Sequence, residues 1–330
     1  MPLPAAAYVI ATGSVPAVPD LPGLDTVEYL TSTTAMELTV LPDALLVIGG
    51  GYAGMEQAQM FAGLGTHVTL VGRLAPYTEP EMADVVREAF ARSGITVVEE
   101  HAITVAQDPA GLVTVTTDCG SSVTGQRLLV ATGRVARTDG LGLPAAGIDV
   151  DARGYVMVDE AQRTSNPRVW AAGDVCGAPQ YVYVAAATGR VAAANALGKD
   201  RRVASTGLPQ VTFTRPQIGA AGMTEQQALD AGHDCDCRVL TAADIPRALA
   251  NQDPLGALKI VADAPTGRVL GVHAALEGAG DVMLATTYAI KASMTVNDLA
   301  DTWAPYLTMS EALRICAGLF RSDKPTSCCA

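Results

Sequence analysis

Positive charge is in short supply in this chain. Twenty-two lysines and arginines stand against thirty-four aspartates and glutamates, for a net charge of −12 over 330 residues. That balance excludes nucleic acid or an anionic lipid surface as the main partner. Charged residues of all kinds are sparse at 17%, against 49% apolar, a proportion that belongs to a globular protein and not to a disordered one. Seven cysteines are too few and too irregularly spaced for a secreted disulfide framework, which points to a reducing, cytoplasmic setting. The start, MPLPAAAYVI, lacks the basic region of a signal peptide. No uncharged apolar run reaches eighteen residues, because Glu56, Asp174 and Arg190 interrupt the candidates, so no membrane span is expected. The length is enough for two or three domains.

What is present begins with an internal echo. YVIATGSVPAVPDLPGL (8–24) and LLVATGRVARTDGLGL (128–143) each run from an apolar strand through Ala-Thr-Gly to a Gly-Leu turn. The repeat predicts two doubly wound nucleotide domains. Between the copies lies LLVIGGGYAGMEQA (45–58), an apolar strand followed by a glycine loop and a helix start. Gly49, Gly51 and Gly54 hold the G-x-G-x-x-G spacing, which gives a tight turn, backbone access for a pyrophosphate, and close helix–strand packing. A second strand is predicted over 67–71. It is followed by Gly72-Arg73 where an acid would read the ribose 2′-hydroxyl of NAD, so Arg73 favours the 2′-phosphate of NADP(H). The first copy has only seven residues ahead of its strand and no glycine loop of its own. The chain therefore reads as the C-terminal portion of a longer design, or as a reading frame truncated at Met1.

The chain ends Ser-Cys-Cys-Ala, with Cys328 and Cys329 adjacent on a polar tail. Paired thiolates favour soft cations over hard ones, and an incidental pair or a vicinal disulfide is the plain alternative. Cys235-x-Cys237, flanked by Asp234 and Asp236, reads as an exposed turn. Cys119, Cys176 and Cys316 read as incidental or as small-residue packing, and none of the four histidines has ligand spacing.

TSNPRVWAAGDV (164–175), GGGYAGMEQA and the two Ala-Thr-Gly segments together resemble the pyridine nucleotide–disulfide oxidoreductases over nearly the whole chain. The resemblance implies an α/β fold. A remnant of an FAD domain (1–30 and 149–205) flanks a Rossmann-like doubly wound NADP(H) domain (31–148), and an α+β dimerisation or interface domain (206–330) follows. It assigns flavin and nucleotide contacts to Thr12, Gly13, Gly133, Gly173, Asp174 (ribityl chain) and Val182 (backbone N–H at the ring). Tyr52 is implied over the nicotinamide pocket, with Glu56 beside it. Strands 258–263 and 268–275 are expected to form a hairpin, with helices over 278–293 and 309–320.

The family's interface domain normally supplies a histidine that protonates a thiolate leaving group. Aligned on Ser310-Glu311, that place is held by Tyr306 in WAPYLTMSE (303–311). A phenol is a poor proton shuttle for thiols at neutral pH. Together with Cys328-Cys329 and QYVYVAAATGR (180–190), Tyr306 makes the chain similar to the Hg(II)-reducing branch of the family. The implied reaction takes electrons from NADPH through FAD to Hg(II). Tyr306 aids the hand-over of metal and the tail thiols collect it, within a homodimer. The redox-active cysteine pair and the ADP-binding loop for FAD are missing from these residues, so the expectation is weak FAD binding and no turnover by this polypeptide alone. Two other readings stand beside it: another disulfide reductase, such as a dihydrolipoamide dehydrogenase-like enzyme, and a non-catalytic NADP- or metal–thiol-binding fragment.

Overall fold

A computed structural model describes residues 5–177, 179–322 and 324–326. The chain divides into two compact units, one of residues 1–19 with 132–205 and the other of 20–131 with 206–330.

In the larger unit, five parallel strands lie in the order Tyr29–Thr31, Arg127–Val130, Ala44–Ile48, His67–Val71, Thr96–Val98. Leu45, Leu46, Val47 and Ile48 are all buried, as a strand covered on both faces requires. The helix Tyr52–Gly63 buries Met55, Ala58 and Phe61, three and six residues apart, on one stripe against this sheet. Pro80 opens the helix Pro80–Arg92 at a position where its missing N–H costs nothing. The strand at 67–71 falls where the sequence placed it. The Tyr29–Thr31 strand pairs with Leu128–Val130, so residues 20–31 go with the nucleotide sheet and not with the leading flavin segment. Thr132–Ile148 in turn go with the smaller unit.

The same unit carries an antiparallel sheet in the order Pro209–Thr212, Gln217–Gly222, Val269–Leu276, Ala257–Asp263, Cys235–Thr241. Ala257–Asp263 and Val269–Leu276 are the expected hairpin. The helices Ala279–Lys291 and Glu311–Gly318 lie over one face of the sheet, where Met283, Ile290 and Ile315 pack with Leu258, Ile260 and Val272. The second helix is shorter than the expected 309–320. The Glu311 carboxylate accepts the Leu307 N–H at 2.8 Å, which holds residues 307–310 as a turn outside the helix.

In the smaller unit, Tyr8–Ile10 pairs in parallel with Val169–Ala171. The helix Val182–Ala196 covers that pair through Ala192 against Trp170 and Ala172. The sequence echo takes its structural meaning here. Ser14–Pro16 and Arg134–Ala136, the residues just after the two Ala-Thr-Gly triplets, pair antiparallel with each other. The hydrogen bonds at their ends are reciprocal. Arg137 N–H donates to Gly13 O at 3.0 Å and Ala17 N–H to Gly133 O at 2.9 Å. Thr12 Oγ1 donates to Arg137 O at 2.7 Å, and Thr132 Oγ1 to Ala17 O at 3.2 Å. The repeat thus marks two chain crossings that bind one another.

Among the described residues, no helix is long and apolar enough to cross a membrane.

Candidate functional site

The glycine loop stands at the C-terminal end of the strand Ala44–Ile48. A Cβ on Gly54 would lie 1.8 Å from Gly49 O, so only glycine permits the helix to pack this closely on the strand. Gly51 is the opposite case: its missing Cβ would meet nothing within 4 Å. Gly51 also caps the helix Tyr52–Gly63, and no side chain caps that end. Open space beside an uncapped helix start is what a pyrophosphate needs, since backbone N–H groups and the positive end of the helix dipole face it. Arg73 is exposed, and its guanidinium makes no ion pair among the described residues, which leaves it available to a 2′-phosphate. The loop therefore fits a nicotinamide dinucleotide.

Tyr52, Glu56 and Gln59 share one face of the helix. Glu56 Oε1 accepts the Phe213 N–H at 2.7 Å. Gln59 accepts from Arg215 N at 2.6 Å and donates to Arg215 O at 2.9 Å. The Tyr52 hydroxyl lies 3.4 Å from Gln210 Oε1, and its ring meets that of Tyr77 at 5.8 Å with a 48° tilt. Glu56 is thus committed to fastening the nucleotide helix to the segment after Pro209–Thr212.

In the smaller unit Asp174 is held by the other chain crossing. Ser14 Oγ donates to Asp174 Oδ2 at 2.7 Å and accepts from Arg134 Nε at 2.6 Å, while Arg134 Nη2 donates to Ser14 O at 3.0 Å. These bonds engage Oδ2 and leave Oδ1 for a ligand hydroxyl. Gly173, at φ 76°, turns the chain so that Asp174 follows the buried strand, and an added Cβ would sit 3.2 Å from that of Ala185. Val182 opens its helix with 89% of its surface exposed, and no side chain caps that end. These groups fit the ribityl and ring portion of a flavin. Ser14 and Arg134 were missed in the sequence because their role comes from a pairing 120 residues apart.

Tyr306 is half exposed, beside a fully exposed Trp303, and no ring contact joins the two. Glu311 is fully buried. Among the described residues its Oε1 has no hydrogen-bond partner, and it lies 3.9 Å from Arg314 Nη2. Cys328 and Cys329 lie outside the described residues.

Away from these groups, the Lys259 ammonium is buried among three carboxylates. It donates to Glu79 Oε2 at 2.9 Å, Glu81 Oε1 at 2.9 Å and Glu225 Oε2 at 2.7 Å. Burial opposes its charge, but the hydrogen bonds it donates to Glu225, Glu79 and Glu81 outweigh that and raise the ammonium's pKa. The cluster joins the helix Pro80–Arg92 to the antiparallel sheet. One signal was available in the sequence: Lys259 stands inside the apolar run LKIVAD.

Residues 2–189 match the pyridine nucleotide-disulphide oxidoreductase family, and residues 208–316 match its dimerisation domain. The chain belongs to this family: it is an oxidoreductase of the flavoprotein disulfide type, a class that works with FAD and NAD(P)H. It is 50% identical to a mercuric reductase of Streptomyces lividans, over 99% of this chain and 70% of that protein. A mercuric reductase of Bacillus cereus is 42% identical over 98% of this chain, which spans about half of that protein's length (52%). Among solved structures, the HOCl-induced flavoprotein disulfide reductase RclA of Escherichia coli aligns with a TM-score of 0.85 at 30% identity, covering 95% of this chain and 73% of that one.

Proposed function

We propose that these residues serve the NADPH-dependent reduction of Hg(II) to Hg(0), within a homodimer in a reducing cytoplasm. The observation that carries the reading is Tyr306: the segment that would deliver a proton-shuttling imidazole for disulfide reduction presents a half-exposed phenol. The names of the two bacterial relatives, at 50% and 42% identity, support it.

The overall change is NADPH plus Hg(II) giving NADP⁺, H⁺ and Hg(0), a two-electron transfer. FAD, which Asp174 and Val182 would hold, would supply the two-electron chemistry between nicotinamide and Hg(II). The chain's own residues position and exchange. Gly49, Gly51 and Gly54 admit the pyrophosphate, and Arg73 pairs with the 2′-phosphate. Tyr52 stands at the nicotinamide end of the helix, with Glu56 fixing that helix in place. Thr12, Gly13 and Gly133 hold the two crossings together, so that Ser14 and Arg134 orient the Asp174 carboxylate toward the ribityl hydroxyls. Gly173 and Val182 set the backbone on either side. Cys328 and Cys329 take Hg(II) from small-thiol complexes by thiolate exchange, and Tyr306 aids the hand-over. A homodimer is supported by the aromatic and aliphatic side chains left exposed on the dimerisation domain, among them Phe213, Leu284, Tyr288 and Trp303.

Hg(II) retention tests the role of the tail. In the presence of excess small monothiol, Cys328→Ala/Cys329→Ala is expected to lose one tightly held Hg(II) per chain. Unchanged retention overturns the tail's role, and favours a disulfide reductase with an atypical tyrosine.

A further inference from the structure

Cys235 and Cys237 do not form the exposed turn that their flanking aspartates suggested. They open the strand Cys235–Thr241, which lies at the edge of the antiparallel sheet and, among the described residues, pairs with Ala257–Asp263 alone. Side chains two apart on a strand point to the same face. Both thiols therefore lie on the sheet face that carries Lys259 and His273, opposite the helix-packed core; Cys237 stands across from Val261 and Cys235 across from Asp263. Both cysteines are free and partly buried.

We propose that Cys235 and Cys237 form a second, two-thiolate site for a thiophilic d¹⁰ cation, of which Hg(II) is the probe of choice. Such ions take two sulfur ligands readily, and the strand presents two on one face. Once one Cys–S–Hg bond forms, the other thiol is tethered beside the metal at a high effective concentration, an advantage that single thiols lack. The surroundings are anionic. The His233 ring bonds Asp263 Oδ1 at 3.0 Å, and the Glu225 carboxylate, with Asp234 beside Cys235, adds negative charge around the pair; the Lys259 ammonium partly offsets it at Cys237. Burial first, then Glu225, pushes the Cys237 thiol up to about 12. Burial, Glu225, Asp234 and Asp263 raise that of Cys235. The carboxylates facing the pair favour a dication there.

The loading step is ligand exchange without oxidation. Two S–H bonds and two Hg–S bonds of a small-thiol complex Hg(SR)₂ are replaced by Cys235–S–Hg–S–Cys237 and two RSH. Both protons leave on the released thiols.

The test uses the full chain titrated with Hg(II) in the presence of excess cysteine, with Hg(II) retention and the ultraviolet thiolate-to-mercury band as readouts. Two Hg(II) per chain are expected, falling to one in Cys235→Ser/Cys237→Ser, to one in Cys328→Ala/Cys329→Ala, and to none when both pairs are removed. Each single Cys235→Ser or Cys237→Ser change should weaken the second site at least tenfold. Alkylation mapped by mass spectrometry needs no variant, and should show Cys235 and Cys237 becoming protected together as Hg(II) is added. Unchanged stoichiometry in the strand variant, or protection of one of these thiols alone, overturns the proposal. The tail variant reads the mercury-collecting arm separately, so either site can fail without the other.

Discussion

Replacing Lys259 by methionine keeps the length of the side chain and removes the one cation among Glu79, Glu81 and Glu225. The carboxylates of Glu81 and Glu225 are 37% and 41% exposed, so water screens much of what they lose. Glu79 is only 4% exposed, and it keeps just the Glu225 N–H at 2.6 Å on its other oxygen. Removing one partner of a buried pair costs about 3–5 kcal/mol. At roughly 2–4 °C per kcal/mol for a unit of this size, the melting temperature should fall by roughly 6–20 °C at pH 7. The pH dependence is the sharper signature. In the native chain burial raises the Glu79 pKa, but Lys259 and the Glu225 N–H outweigh it, and the net value lies below the usual range. Its contribution is therefore present above the unfolded value of about 4.3 and is lost as the pH falls through the depressed folded value. Without Lys259 the folded pKa rises above the unfolded one. The variant should therefore regain stability between pH 7 and pH 5, where the native chain gains none from this group. Thermal melts of both proteins at the two pH values decide it. A loss under about 1 kcal/mol, or parallel pH profiles, refutes the reasoning.

Two changes separate nucleotide binding from folding. Gly51→Ala should leave the melting temperature unchanged, because its Cβ enters open space, yet weaken NADPH about tenfold by fluorescence titration. Gly54→Ala should cost about 1–3 kcal/mol of stability by forcing a Cβ against Gly49 O, seen as a lower melting temperature. Arg73→Ala should weaken NADPH by about ten- to a hundredfold, as loss of a charged hydrogen bond of about 1.5–3 kcal/mol implies, and leave NADH affinity unchanged; equal losses for both would remove Arg73 from the 2′-phosphate.

The elements that the sequence predicted well are those set by local pattern. The run Leu45–Ile48 before three spaced glycines specified a buried strand, a turn and a helix, and they occur at Ala44–Ile48 and Tyr52–Gly63. The hairpin around Gly267 was legible for the same reason, since two apolar strands met Pro265-Thr266-Gly267, whose glycine takes a positive φ. What local pattern could not show was partnership. The echoed Ala-Thr-Gly triplets pointed to two nucleotide domains, the first cut short, but a repeat carries no information about pairing, and in the fold the residues after the two triplets bind each other. Ser14 and Asp174 meet across 160 residues, and Lys259 and Glu79 across 180. The aspartates beside Cys235 and Cys237 argued for a turn on local propensity, but seven cross-strand partners, from Asp263 to Ala257, override it.

The central claim is that this chain carries the NADPH-reading and metal-handling part of an Hg(II) reductase. It is tested most directly by joining to it the part of the Streptomyces lividans relative that it does not cover. Cold-vapour detection of Hg(0), with NADPH, FAD and a cysteine–Hg(II) complex, is then run on the fusion and on the chain alone. The expected result is Hg(0) released mole for mole with NADPH oxidised by the fusion, little from the chain alone, and no turnover of glutathione disulfide or lipoamide. NADPH-dependent disulfide reduction by the fusion without release of Hg(0) would contradict the account.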